Sequence, residues 1–141
     1  MRMSFEEEIF ELYVKDYRIE TICYNMMGKL LETETVKERL QLHDIQSCYI
    51  YGGGYLGVQL YNAVHNMVNV KAVVDKNGGL SVNVEGIRTI SLDDLMKEYS
   101  GEKIIITPVK YYQRIKDDLS KFVDEKELLF LGEFLEGMVQ S

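Results

Sequence analysis

The feature that most constrains this chain is the stretch Ser47 to Asn66, SCYIYGGGYLGVQLYNAVHN, where an uncharged apolar run meets a glycine cluster and then a helical pattern. Cys48, Tyr49, Ile50 and Tyr51 favour β structure and carry no charge, as a strand covered on both faces requires. Beyond the glycines, Leu56, Leu60, Val64 and Met67 recur at helical intervals, with Val58, Tyr61 and Ala63 widening the apolar face. The expected order is strand, turn, helix, with the glycines at the junction.

Gly52, Gly54 and Gly57 have the spacing G-x-G-x-x-G, and Gly53, Tyr55 and Leu56 fill the turn between them. In a dinucleotide-binding turn the first glycine allows the tight bend, the second lets the backbone approach a pyrophosphate, and the third packs the helix close to the strand. The open N–H groups and the positive dipole end of the helix then favour an anion. The pattern also asks for a second strand ending in an acid roughly twenty positions on. Val70, Ala72, Val73 and Val74 form that run and Asp75 closes it, placed to accept hydrogen bonds from a ribose diol. A carboxylate there favours NAD over NADP, while the adjacent Lys76 pulls the other way. The alternative is that the glycines and Asp75 only make turns.

The remaining pattern alternates in the same manner. Ser4 and Glu7 form a capping box that opens an N-terminal helix, with Phe5, Ile9, Leu12 and Tyr13 as one apolar stripe. Ile19, Ile22, Cys23, Met26, Met27, Leu30 and Leu31 make a wider one, and a break is expected near Gly28. Thr35 and Glu38 form a second box expected to open a short helix running to Leu42. After Asp75, Lys76 to Gly79 read as a turn, and Leu80, Val82 and Val84 alternate as a hairpin. Ile87 to Ile90 is a short strand, Ser91 and Asp94 cap a helix carrying Leu92, Leu95 and Met96, and Lys103 to Val109 is a further strand stopped by Pro108. Tyr111 to Phe122 reads as a helix, Leu128 to Leu131 as a last buried strand, and the tail as a short helix or loop.

Alternating strands and helices predict an α/β, three-layer Rossmann-like fold with a mostly parallel sheet, preceded by an α-helical N-terminal segment. Residues 1–46 form that segment, and residues 47–141 form the nucleotide-binding domain. The N-terminal helices either pack on the core or join two subunits or a partner enzyme. Ligands in such sheets bind outside the carboxyl ends of the strands at the switch point, where Gly52 to Gly57, Asp75, Thr107 and Pro108 all fall.

From Tyr49 to about Leu131 the chain resembles the small Rossmann-like domains of bacterial nucleotide-sugar and surface-polysaccharide enzymes. These include the amino-terminal domain of sugar acyltransferases and the nucleotide-binding region of sugar epimerases and dehydratases. The likeness rests on IYGGGYLG, VKAVVDKN, VEGIRTISLDDL and IIITPV. It implies that Gly52, Gly54, Gly57 and Asp75 carry a nucleotide. The β-helix repeat of the acyltransferases and the substrate domain of the epimerases have no counterpart here. Two Y-x-x-x-K pairs, Tyr99 with Lys103 and Tyr112 with Lys116, match the spacing that short-chain dehydrogenases use, a match expected by chance in a chain with this many tyrosines and lysines.

Composition closes off other classes. A formal charge of −7 leaves no basic stripe for nucleic acid. No apolar run approaches a membrane span, and the acidic start MRMSFEEEIF is unlike a secretory signal, so a cytoplasmic protein is expected. Two cysteines and two histidines offer no metal-ligand spacing, and His43 and His65 have no acid or nucleophile at motif distance. No catalytic residue stands out. Three functions stay open: a binding or sensing domain for NAD(H) or a nucleotide-sugar, a minimal enzyme using NAD or S-adenosylmethionine, and an interaction module with an empty cleft.

Overall fold

The computed structural model describes residues 21–23, 25–76, 78 and 84–137. The Ser4 capping box, the first apolar stripe and most of the expected hairpin lie outside them. The described chain runs through α1 (21–23 and 25–30), α2 (Thr33–Leu42), β1 (Ser47–Tyr51), α3 (Tyr55–Val64), β2 (Asn69–Val74) and β3 (Thr89–Ile90). It continues through α4 (Leu92–Glu98), β4 (Lys103–Ile106), α5 (Tyr112–Leu119), a 3-10 turn at Glu125–Glu127, β5 (Leu128–Phe130) and α6 (Leu131–Glu136).

The strands form one sheet in the order β3-β2-β1-β4-β5, and every pairing is parallel. The fold is therefore the α/β, Rossmann-like three-layer arrangement expected from the alternation of strands and helices. β1 sits at the centre, and residue parity sends its side chains to opposite layers. Cys48 and Ile50 join Leu60 and Val64 of α3, Val36 and Leu40 of α2 and Phe134 of α6. Tyr49 and Tyr51 join Leu95 of α4 and Ile115 and Leu119 of α5 on the other face. Met26 and Leu30 of α1 are buried in the first cluster, so the described part of the N-terminal segment packs inward on the sheet. Each such fully buried aliphatic side chain contributes about 1.5–3 kcal/mol from burial.

Several boundaries differ from the sequence expectation for local reasons. α2 begins at Thr33, with Glu32 as its N-cap, and Thr35 donates its hydroxyl to the Glu32 carboxylate instead of opening the helix. The strand expected over Ile87 to Ile90 shrinks to Thr89–Ile90: the Arg88 carbonyl still accepts from the Val73 N–H at 3.0 Å, but its side chain, held by Glu98, takes the Lys71 carbonyl of β2. β4 stops at Ile106, and Leu131 leaves the last strand to start α6. Helix α4 is capped as expected, the Ser91 hydroxyl accepting from the Asp94 N–H at 3.2 Å.

Candidate functional site

The strand ends near the centre of the sheet are tied into one rigid rim. The Gly52 N–H donates to the Val74 carbonyl at 2.7 Å, and the Asp75 N–H donates to the Ile90 carbonyl at 2.9 Å. On the other side, the Thr107 N–H and hydroxyl both donate to the Tyr51 carbonyl, at 3.0 and 2.9 Å. β2, β1 and β4 thus end together, with β1 leading off to β2 and β4 arriving from β3, which is the topological switch point of the sheet.

Each fingerprint glycine meets a different local demand. Gly52 has φ +103°, a left-handed conformation that L side chains rarely adopt, and a Cβ on it would stand 2.5 Å from the Thr107 hydroxyl and 2.8 Å from Pro108 Cδ. A Cβ on Gly57 would lie far closer to the Gly52 carbonyl oxygen than van der Waals contact allows, so the first turn of α3 rests directly on the loop. Gly54, the N-cap of α3, has nothing within 4 Å of the Cβ position and is exposed. The first and third glycines are thus required by packing, and the second faces open space.

The start of α3 has no side-chain cap and no acidic residue in its first turn, whereas α4 carries Ser91, Asp93 and Asp94 at the same place. The positive end of the α3 dipole is therefore not neutralised by its own helix. Gly53 is buried in the turn and Leu56 is half-buried, while Tyr55 stands out at 65 % exposure. Across the switch point Pro108 packs against Gly52, and Tyr111, the N-cap of α5, is 58 % exposed. Tyr55 stands out in the sequence by its place among the glycines, whereas Tyr111 has no such signal, its exposure depending on where the loop after β4 turns.

Thr107 is buried, and its hydroxyl spans the Tyr51 and Gly52 carbonyls. Its part in the rim is to brace the glycine turn. Asp75 is half-buried just past β2, its carbonyl accepts from the Gly78 N–H, and Lys76 beside it is exposed. Burial, with the charges of Asp118 and Asp75, raises the Tyr51 phenol above its ordinary pKa. In the sequence Tyr51 reads only as strand core. Its position as the last residue of β1 is the signal that puts its ring beside the rim.

The other chemically suggestive residues are engaged elsewhere. Tyr99 donates to the Glu102 carbonyl at 2.8 Å, and Lys103 donates to the Lys126 carbonyl at 2.9 Å, both at the amino-terminal edge of the sheet, opposite the rim. Tyr112 packs on Phe130, and burial, with Glu133 and Glu125, raises its pKa, the reverse of what a proton-abstracting tyrosine needs. Burial also pushes the Cys48 thiol up to about 12. His43 is lowered by burial and by the charges of Lys103 and Arg39, and His65 stacks on Tyr61 at the far end of α3. Among the described residues no cluster of three His, Cys, Asp or Glu side chains could hold a metal ion, and no helix is long and apolar enough to cross a membrane.

Compared with known proteins, the chain matches no family model, no curated protein sequence and no solved structure.

Proposed function

We propose that this chain is a nucleotide-binding unit whose ligand lies across the switch point, its pyrophosphate on the Gly52–Gly57 turn and its ribose diol on Asp75. The observation that carries this reading is the division of labour among the glycines: Gly52 and Gly57 are locked against neighbours, while Gly54 faces open space before an uncapped helix start. An exposed second glycine leaves the backbone at the helix start open to a pyrophosphate, as a dinucleotide-binding turn requires. NAD(H) is the first ligand, because the Asp75 carboxylate suits a free 2′-hydroxyl and repels a 2′-phosphate. A nucleotide-sugar is the second, favoured by the passage VEGIRTISLDDL and its likeness to enzymes of sugar and surface-polysaccharide metabolism.

The unit acts by binding, as a sensor or beside a partner enzyme in that metabolism. Both Y-x-x-x-K pairs support this over a dehydrogenase reading, since Tyr99 and Lys103 are bonded at the opposite edge and Tyr112 is packed against Phe130. A thermal-shift panel of NAD, NADH, NADP, S-adenosylmethionine and UDP-, GDP- and dTDP-sugars tests the reading. A ligand at one hundred times its Kd adds about 2.7 kcal/mol to stability. A shift with NAD or NADH supports the first ligand, a shift with one sugar nucleotide the second, and no shift with any of them overturns the proposal.

A further inference from the structure

A cavity of about 460 Å³ opens at the carboxyl end of β5, on the same edge of the sheet as the glycine turn. β4 separates it from β1, which places it about 10 Å along the edge from the glycine turn at the usual strand spacing. Ile22 and Met26 of α1 form one wall. The rings of Tyr112 and Phe130, with centroids 4.6 Å apart, form the other.

Gly132 keeps that aromatic wall bare. It is the second residue of α6 and its φ lies outside the left-handed region, so the backbone does not call for glycine. A Cβ there would make ordinary contacts of 3.5–3.6 Å with three atoms of the Phe130 ring. Alanine would therefore fit and favour the helix by about 1 kcal/mol. The glycine instead leaves the outer end of the Phe130 ring uncovered by a side chain from α6.

Around this apolar face stand hydrogen-bonding groups: the Asn25 amide, the Glu133 carboxylate, and Lys29 paired with Glu136. Carboxylates and an amide beside a bare aromatic ring suit an uncharged ring with one C–H face and hydroxyls at its rim. Lys29 neutralises Glu136, so Glu133 is the carboxylate left to bind a ligand. The volume lies within the range of small-molecule sites, with room for one or two sugar rings. We infer that the cavity between α1, Tyr112, Phe130 and Gly132 binds a pyranose, stacked on Phe130 where Gly132 lacks a side chain and hydrogen-bonded to Glu133 and Asn25. The inference is independent of the nucleotide reading, which concerns a different cleft.

The test is a set of ¹H–¹⁵N titrations of the full chain with D-glucose, D-galactose and N-acetyl-D-glucosamine, and with tetramethylammonium chloride as a cationic probe. At least one sugar should produce saturable shifts at the amides of Lys29, Tyr112, Gly132 and Glu133. Gly132→Ala and Glu133→Gln should each weaken that binding tenfold or more, while Gly132→Ala melts at or above the wild-type temperature. Gly54→Val, in the other cleft, should leave sugar binding unchanged. Saturation by no sugar, saturation by tetramethylammonium alone, or sugar binding undiminished in Gly132→Ala overturns the inference.

Discussion

The carbonyl oxygen of Gly52 occupies the space that a Cβ on Gly57 would need, so the first turn of α3 lies against the loop that leaves β1. The contact holds the helix start at the strand end. Gly57→Ala must push the helix off the loop, and overpacking of this kind costs about 1–3 kcal/mol. Chemical denaturation should show a lowered midpoint with an unchanged slope.

Gly54→Ala separates fold from ligand. With nothing within 4 Å of its Cβ position and a φ of −75°, the site accepts a methyl group without strain. The variant should melt within a few degrees of the wild type, as measured by circular dichroism. A lower midpoint comparable with that of Gly57→Ala would mean that the turn is packed more closely than described.

Acid should weaken the fold through Glu102. Burial alone would raise its carboxyl, but the Lys71 ammonium, 2.7 Å away, together with the N–H groups of Glu102 and Ser100 and the Ser100 hydroxyl, outweighs burial and holds it at about 2. A depressed pKa stabilises above the unfolded-state value and is lost as pH falls through the folded one. The contribution is full at neutral pH and declines from about pH 4.5 toward the folded value of about 2. Glu102→Gln should reduce stability at pH 7 by about 2 kcal/mol, and should flatten the decline below pH 4.5 in a pH series of urea melts.

The two thiols should label at very different rates. Cys48 is fully buried with its thiol raised to about 12, whereas Cys23 is half-buried on α1. In native buffer a thiol-disulfide reagent should modify Cys23 first, and Cys48 should react only when denaturant opens the sheet. Equal rates would place Cys48 outside the core.

Much of this architecture was legible because β1, β2 and β4 are uncharged or nearly uncharged runs, and the helix after the glycines repeats its apolar residues at helical intervals. Ser91 with Asp94 was legible for the same reason, since a cap is a local pattern. What the sequence left unread depends on partners far along the chain. Thr35 and Glu38 have the spacing of a capping box, yet the N-cap is Glu32, three residues earlier. Arg88 looks like a strand residue, yet its side chain, held by Glu98 ten positions on, takes a carbonyl of β2. At the candidate site, Gly52 to Gly57 and Asp75 could be picked out by spacing. The bracing part of Thr107, the exposure of Tyr111 and the nearness of Tyr51 to Asp75 follow only from the pairing of β1 with β4 and β2.

Isothermal titration calorimetry of NAD, NADH and UDP-, GDP- and dTDP-sugars into the wild type, Gly54→Val and Asp75→Ala tests the central claim most directly. The account predicts saturable binding of at least one of them to the wild type. Gly54→Val should abolish it by blocking the approach of the pyrophosphate, and Asp75→Ala should weaken it at least tenfold through loss of the ribose contacts, with both variants folded. Binding that survives Gly54→Val, or no binding of any of these compounds to the folded wild type, would contradict it.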